Sequence, residues 1–167
     1  MNTKNRVYLL LGSNLGNRLS FLNAAKTKIN QNAGMILKES PLYEAKPWGF
    51  NHAKNFINQV ILIETEFSSQ ELLVILMKIE SELGRVRAGM GYGPRTIDID
   101  ILFYNSEIIS TDRLEIPHPK LHERNFTLMP FADIAPSFVH PGLNKTISEL
   151  LEESPDDSEV WLFSEQE

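Results

Sequence analysis

The chain has 167 residues, no cysteine, 42% hydrophobic and 23% charged residues, and a formal net charge of −6. A chain of this length buries roughly 70% of the surface its unfolded form exposes, enough for one core without disulfide or metal staples, and the lack of cysteine excludes thiol catalysis, zinc–thiolate sites and redox switching. The longest apolar runs, 7–11 and 72–77, fall far short of the ~20 residues that cross a bilayer, and no small-residue cleavage pattern follows the N-terminus, so the chain reads as cytoplasmic.

In chain order, residues 6–11 form an apolar run stopped by Gly12-Ser13-Asn14, which predicts a strand turning into a helix. Leu19, Leu22, Ala25 and Ile29 recur at helical spacing, and Gly34 marks a stop. Residues 35–43 read as extended, and 46–50 as a loop by their proline and glycine. Residues 56–66 read as a second β-branched strand. Ser68 or Ser69 can cap a helix that carries Glu71 in its first turn and runs to Gly84. The alternation of Thr96-Ile97-Asp98-Ile99-Asp100-Ile101-Leu102-Phe103 predicts the most regular strand. This order is the split βαβ, or ferredoxin-like, βαββαβ arrangement: an α+β domain whose antiparallel sheet packs helices on one face and leaves the other for a site. Beyond residue 104, prolines punctuate short apolar segments, with helices expected near Leu128 and over 147–152. Nothing divides the chain, so residues 1–167 read as a single domain.

Charge is unevenly placed. Residues 149–167 hold eight acids and no Lys or Arg, an acidic extension to which the residues assign no function; the rest carries 16 basic and 14 acidic residues. Arg85, Arg87 and Arg95 lie in a glycine-rich stretch with no acid between Glu82 and Asp98, where phosphate is welcome.

Asp98 and Asp100, two apart on a strand, share a face with Cα atoms about 6.5 Å apart while Ile97, Ile99 and Ile101 face the core. Such a pair can hold hard cations such as Mg²⁺ against a transferring phosphoryl group; it is also what a half-buried strand with an acidic outer face looks like. The arginine loop directly upstream favours the metal reading, since arginine forks match phosphate oxygens and glycines permit a closing lid, although a solvated basic loop has the same composition. His118, between Pro117 and Pro119, is either a fixed donor near phosphate or a surface residue. The His118–His122 spacing is discounted as a zinc pair because Pro119 interrupts it. His52 and His140 read as solvated loop residues. Asn58, inside an apolar strand, either reads the polar edge of a heterocycle or is a satisfied structural amide. There is no phosphate loop of the Gly-x-x-x-x-Gly-Lys-Ser/Thr type and no Gly-x-Gly-x-x-Gly fingerprint.

Taken together, Gly12-Ser13-Asn14-Leu15-Gly16, Pro47-x-Gly49, Asn58, Glu80, Gly84-Arg85-Val86-Arg87, the run from Gly93 to Asp100, Pro117-His118 and Arg124-x-Phe126 closely resemble the 6-hydroxymethyl-7,8-dihydropterin pyrophosphokinases of folate biosynthesis, over about residues 7–142. The resemblance implies transfer of the terminal diphosphate of ATP to the pterin hydroxymethyl oxygen, releasing AMP. It implies two Mg²⁺ ions on Asp98 and Asp100. It also implies an ATP site around Glu80, Arg85, Arg87, Tyr92, Arg95, Arg113 and His118, and a pterin site around Ala45, Lys46, Trp48, Phe56, Asn58, Asp98 and Phe126. Arg85 and Arg95 join the two aspartates as catalytic residues. The expected partners are small molecules, without nucleic acid or membrane, and the expected state is a monomer. Some positions depart from the family pattern. Gly91 and Tyr92 stand where a basic residue and Trp are usual, Ala45 and Lys46 where Thr and Pro are, Phe56 for Tyr, and Met77 for a Gln that can meet ATP. The loops 46–55 and 84–95 are expected to close during turnover.

Two other classes stay open, with spacing against one and charge against the other. Nucleotidyltransferases place Gly-Ser about a dozen residues before Asp-x-Asp, whereas Ser13 and Asp98 are 85 apart. An RNA-binding module of this fold needs a basic, aromatic central strand rather than an acidic one.

Overall fold

The computed structural model describes residues 4–46, 55–84 and 96–164. β1 (Asn5–Ser13) leads into α1 (Arg18–Asn32), β2 (Met35–Glu39), β3 (Tyr43–Ala45), β4 (Phe56–Thr65), α2 (Ser69–Glu82) and β5 (Asp98–Tyr104). Short strands β6 (Ile109–Ser110) and β7 (Glu115–Ile116), a 3₁₀ turn at Leu121–Glu123, α3 (Asn125–Ile134), β8 (Val139–His140), β9 (Lys145–Thr146), α4 (Ile147–Glu153) and β10 (Val160–Leu162) follow.

The starts of α1 and α2 are set by local chemistry. Asn17 accepts from the Ser20 amide at the start of α1. Ser68 and Glu71 exchange hydrogen bonds across the start of α2, closing a capping box. Past α2, Gly84 adopts φ +92°, a conformation that a side chain would strain.

The main sheet is antiparallel, in the order β10-β3-β4-β1-β5, with β2 also on β4. The extended segment 35–43 is broken at Ser40-Pro41-Leu42, and both of its parts pair with β4 in succession. Pro41 has no N–H to give a ladder, while the Ser40 hydroxyl accepts from the Val60 amide and keeps the broken edge attached.

β1 is apolar from Val7 to Leu11 because both of its faces are covered there. Val7, Leu9 and Leu11 pack with Leu22, Ile29, Leu72, Leu76 and Ile79 of α1 and α2, joined by Ile97, Ile99 and Ile101. Tyr8 and Leu10 face the other way, against Leu128, Phe131, Ile147 and Leu150 of α3 and α4. A bulge opposite Tyr8 and Leu9 puts Leu102 and Phe103 on that second face together.

The second face is therefore not left free. The C-terminal elements cover much of it, and among the described residues the end of the sheet carrying Gly12, Asn58 and Asp98 stays open. One further expectation changes for the same reason. His140 is buried rather than solvated, its ring edge-on to Phe103 and its Nδ1 accepting from the Gly142 and Leu143 amides. The described part of the acidic extension, 149–164, supplies most of α4 and all of β10. His52 lies outside the described residues. No helix among the described residues is long and apolar enough to cross a membrane.

Candidate functional site

Strand register builds the floor of the site. Tyr43 pairs with Asn58, Asn58 with Gly12, and Gly12 with Asp98, giving one row across four strands. The row beneath runs Val60, Leu10, Asp100. Since paired residues point to the same side of a sheet, Asn58, Asp98 and Asp100 all face the open end. Arg124 and Phe126, at the start of α3, lie over this floor, with the Arg124 guanidinium 5.5 Å from the centre of the Phe126 ring. Ala45, Lys46 and Phe56 complete the pocket.

Gly12 and Asn58 are fitted to each other. A Cβ on Gly12 would come within 2.8 Å of Asn58 Oδ1, so a side chain at residue 12 would push the amide from its place on the floor. Asn58 is 3% exposed, and its Nδ2 has no hydrogen-bond partner among the described residues. A buried N–H left unmet costs about 1–3 kcal/mol. Here that cost lies beside a pocket flanked by aromatic rings, which is the arrangement expected where a flat ligand presents an acceptor.

One of the two carboxylates also borders a second space. Asp100 lines an open cleft between α2, the outer edge of β5 and the segment 113–119, with Met77, Arg113 and His118. Buried Glu80, on α2, accepts from the Ile99 amide through Oε2 at 2.7 Å, fastening the strand between the two aspartates.

Burial, then the charge of Arg124, push the His118 pKa down to about 4 against the opposing pull of Asp98. The imidazole is thus neutral near pH 7. Its Nδ1 accepts from the Lys120 amide, which assigns the proton to Nε2. His118 therefore offers a neutral hydrogen-bond donor rather than a charge.

Of the residues singled out from the sequence, Ala45, Lys46, Phe56, Asn58, Asp98 and Phe126 converge on the first pocket. Asp100 is shared by both spaces, while Arg113 and His118 line the second and Glu80 stands behind β5. Trp48, Arg85, Arg87, Tyr92 and Arg95, with most of the two loops expected to close, lie outside the described residues. The sequence reading missed Leu10 and Gly12 as floor residues and Arg124 as a wall. A glycine inside an apolar strand was the available signal for the first two; Arg124 carried none apart from its motif. Also missed was the hydrogen bond from the Tyr43 hydroxyl to Asp133 Oδ2, 2.5 Å, which ties α3 to β3. Burial first, and then that bond and the charge of Asp133, push the Tyr43 pKa up to about 12.

Comparison with known proteins gives a consistent picture. The family model described as 7,8-dihydro-6-hydroxymethylpterin-pyrophosphokinase (HPPK) matches residues 8–136. A 2-amino-4-hydroxy-6-hydroxymethyldihydropteridine pyrophosphokinase of Aquifex aeolicus is 43% identical over 148 residues, 89% of this chain and 91% of that protein. The protein of the same name from Porphyromonas gingivalis is 43% identical over 138 residues, covering 81% and 93%. Among solved structures, wild-type Plasmodium falciparum HPPK-DHPS superposes with a TM-score of 0.74 at 18% identity. That match covers 92% of this chain and 45% of the larger one, and it speaks for the fold alone.

Proposed function

The chain belongs to the 7,8-dihydro-6-hydroxymethylpterin-pyrophosphokinase family and is an ATP-using pyrophosphokinase of folate biosynthesis; from this premise we propose how its own residues divide the work. The observation that carries the proposal is that Asp100 lines both spaces, with Asp98 beside it on the floor of the first. A donor and an acceptor of diphosphate bound in these two spaces meet at the carboxylates.

The pterin occupies the first pocket. Asn58 Nδ2 donates to an acceptor on its edge, Phe126 and Phe56 flank its rings, and Ala45 and Lys46 form the rim, with Trp48 joining from the adjoining loop. ATP occupies the second space, where Arg113 and neutral His118 donate to phosphate oxygens and Met77 offers an apolar contact. Glu80 holds β5 in register. Arg85, Arg87, Tyr92 and Arg95 belong to the same ATP-facing set, with Arg85 and Arg95 stabilising charge on the transferring group.

Two Mg²⁺ ions fit Asp98 and Asp100. Both are oxygen donors on one face of one strand, and among the described residues no group of three or more His, Asp or Glu forms a cage, which suits an ion that keeps waters and takes further ligands from substrate phosphates. When bound, the ions supply charge neutralisation on the phosphates and a lower pKa for the attacking hydroxyl. The bond from the hydroxymethyl oxygen to the β-phosphorus forms in line as the β-phosphorus–bridging-oxygen bond breaks. AMP leaves with that bridging oxygen, and the hydroxyl proton is released. The protein's own contribution is chiefly positioning. The cytoplasm, where ATP is at hand, is the setting we infer, and the protein acts as a monomer on small molecules.

The test is to combine protein, Mg²⁺, ATP and the reduced hydroxymethylpterin and measure AMP. Asp98→Ala and Asp100→Ala should each cut AMP formation by at least roughly a thousandfold with unchanged circular dichroism. Wild-type yield from either variant would refute the carboxylate assignment.

A further inference from the structure

The acidic extension leaves α4 and runs back across the pterin side of the molecule, beyond the stretch matched by the family model. It touches both walls of the first pocket. On one wall, the first residue of α3 is held from a distance: the Asn125 amide donates to Asp156 Oδ2 at 2.8 Å, and Asn125 Nδ2 donates to the Asp156 carbonyl at 3.0 Å, 31 residues away in sequence. The residue preceding α3, Arg124, makes no side-chain cap, so the Asp156 carboxylate takes over that role. Ser158 fixes this carboxylate in turn, donating to Oδ1 through both its amide and its hydroxyl. Pocket residues Arg124 and Phe126 flank Asn125 directly.

On the other wall, β10 pairs with β3 from Val160 opposite Ala45 to Leu162 opposite Tyr43. Trp161 Nε1 donates to Glu44, which is also paired with Arg18 at 2.7 Å, and the Phe163 amide donates to the Leu42 carbonyl. Without β10, the three residues of β3 would be a bare sheet edge, and short edges open readily. Ala45 and Lys46, at the end of β3, form the pocket rim. The Lys46–Glu159 ion pair is solvent-exposed on both sides and contributes little.

We propose that residues 156–162 are a strap that positions the pterin pocket, Asp156 setting the α3 wall that carries Arg124 and Phe126 and β10 setting the Ala45–Lys46 rim. Asp156 and Trp161 touch no reacting atom; they act through the residues they hold. The hydrogen bonds and strand pairing of the strap described above run to α3 and β3, on the pterin side.

This proposal rests on the assignment of the first pocket to the pterin, and its test separates the two. Asp156→Ala should raise the KM for hydroxymethylpterin about tenfold while kcat and the KM for ATP stay within about twofold. Asp156→Asn, which keeps an acceptor for the Asn125 amide, should restore most of that loss. A part that matters only for folding would lower active protein, and so apparent kcat, and leave both KM values alone. That result, or an equal rise in both KM values, overturns the proposal. Should Asp156→Ala fail to accumulate folded, Trp161→Ala at the partly exposed end of the strap takes its place, with an expected rise of about threefold in the pterin KM; an unchanged value is again fatal. If the wild-type protein makes no AMP, the pterin assignment falls instead. The strap is then judged by hydrogen exchange at Asn125 and Phe126, which must quicken in the variant relative to the rest of α3.

Discussion

Asn58 shows how one residue can be set for a ligand at the expense of the unliganded fold. On its own face of β4 it is followed by buried Val60, and an apolar residue could take its place in the strand. The polar side chain is retained over a glycine that gives it room, with one amide nitrogen unmet. Asn58→Ala should therefore raise the pterin KM by at least about tenfold, because the loss of a donor to a buried acceptor is felt fully on binding, while the melting temperature moves little. Steady-state kinetics beside a thermal melt checks both halves. A large loss of stability with unchanged KM would mark the amide as structural.

At the scale of elements, the acidic strand is held by what lies behind it. β5 is the last strand of the sheet on its side, and its outer edge forms a wall of the second cavity. The Glu80 carboxylate takes the Ile99 amide from the helix side and fixes the strand at the point between Asp98 and Asp100. Glu80→Ala leaves that buried amide without its acceptor, an expected loss of about 1–3 kcal/mol. Because both carboxylates ride on the same peptide segment, kcat should fall by at least about tenfold as well. Urea unfolding gives the first quantity and AMP release the second; a variant that loses stability yet keeps kcat would show that β5 is held well enough by β1 alone.

For the molecule as a whole, two cores share one sheet, and the histidines make its stability respond to mild acid. Burial, followed by the nearby charge of His122, lowers the pKa of His140 below its unfolded value of 6.5. The ring accepts two backbone N–H groups that a proton on Nδ1 would repel. His118 is lowered as well, to about 4. As pH falls through 6.5, the unfolded chain takes up protons that the folded chain refuses, so stability is lost downward from about pH 6.5, before carboxylates titrate. The melting temperature should decline between pH 7 and 5, and His140→Gln should flatten the slope. A flat wild-type profile over that window would contradict the sign.

Local pattern was enough to read the βαββαβ order, the core-facing isoleucines of β5 and the outward pair Asp98 and Asp100, because alternation and helical spacing are properties of neighbours in sequence. The same holds for the motif set that marked the family. Residues far apart in the chain left no such trace. Nothing near Asn125 announces that Asp156 will hold its amide, and nothing near His140 announces Phe103. Coverage of the second face by α3 and α4, the meeting of two cavities at Asp100 and the return of the acidic extension onto β3 all depend on long-range packing and strand register. Those are decided when the chain closes on itself, since burial and partner geometry exist only in the assembled layers.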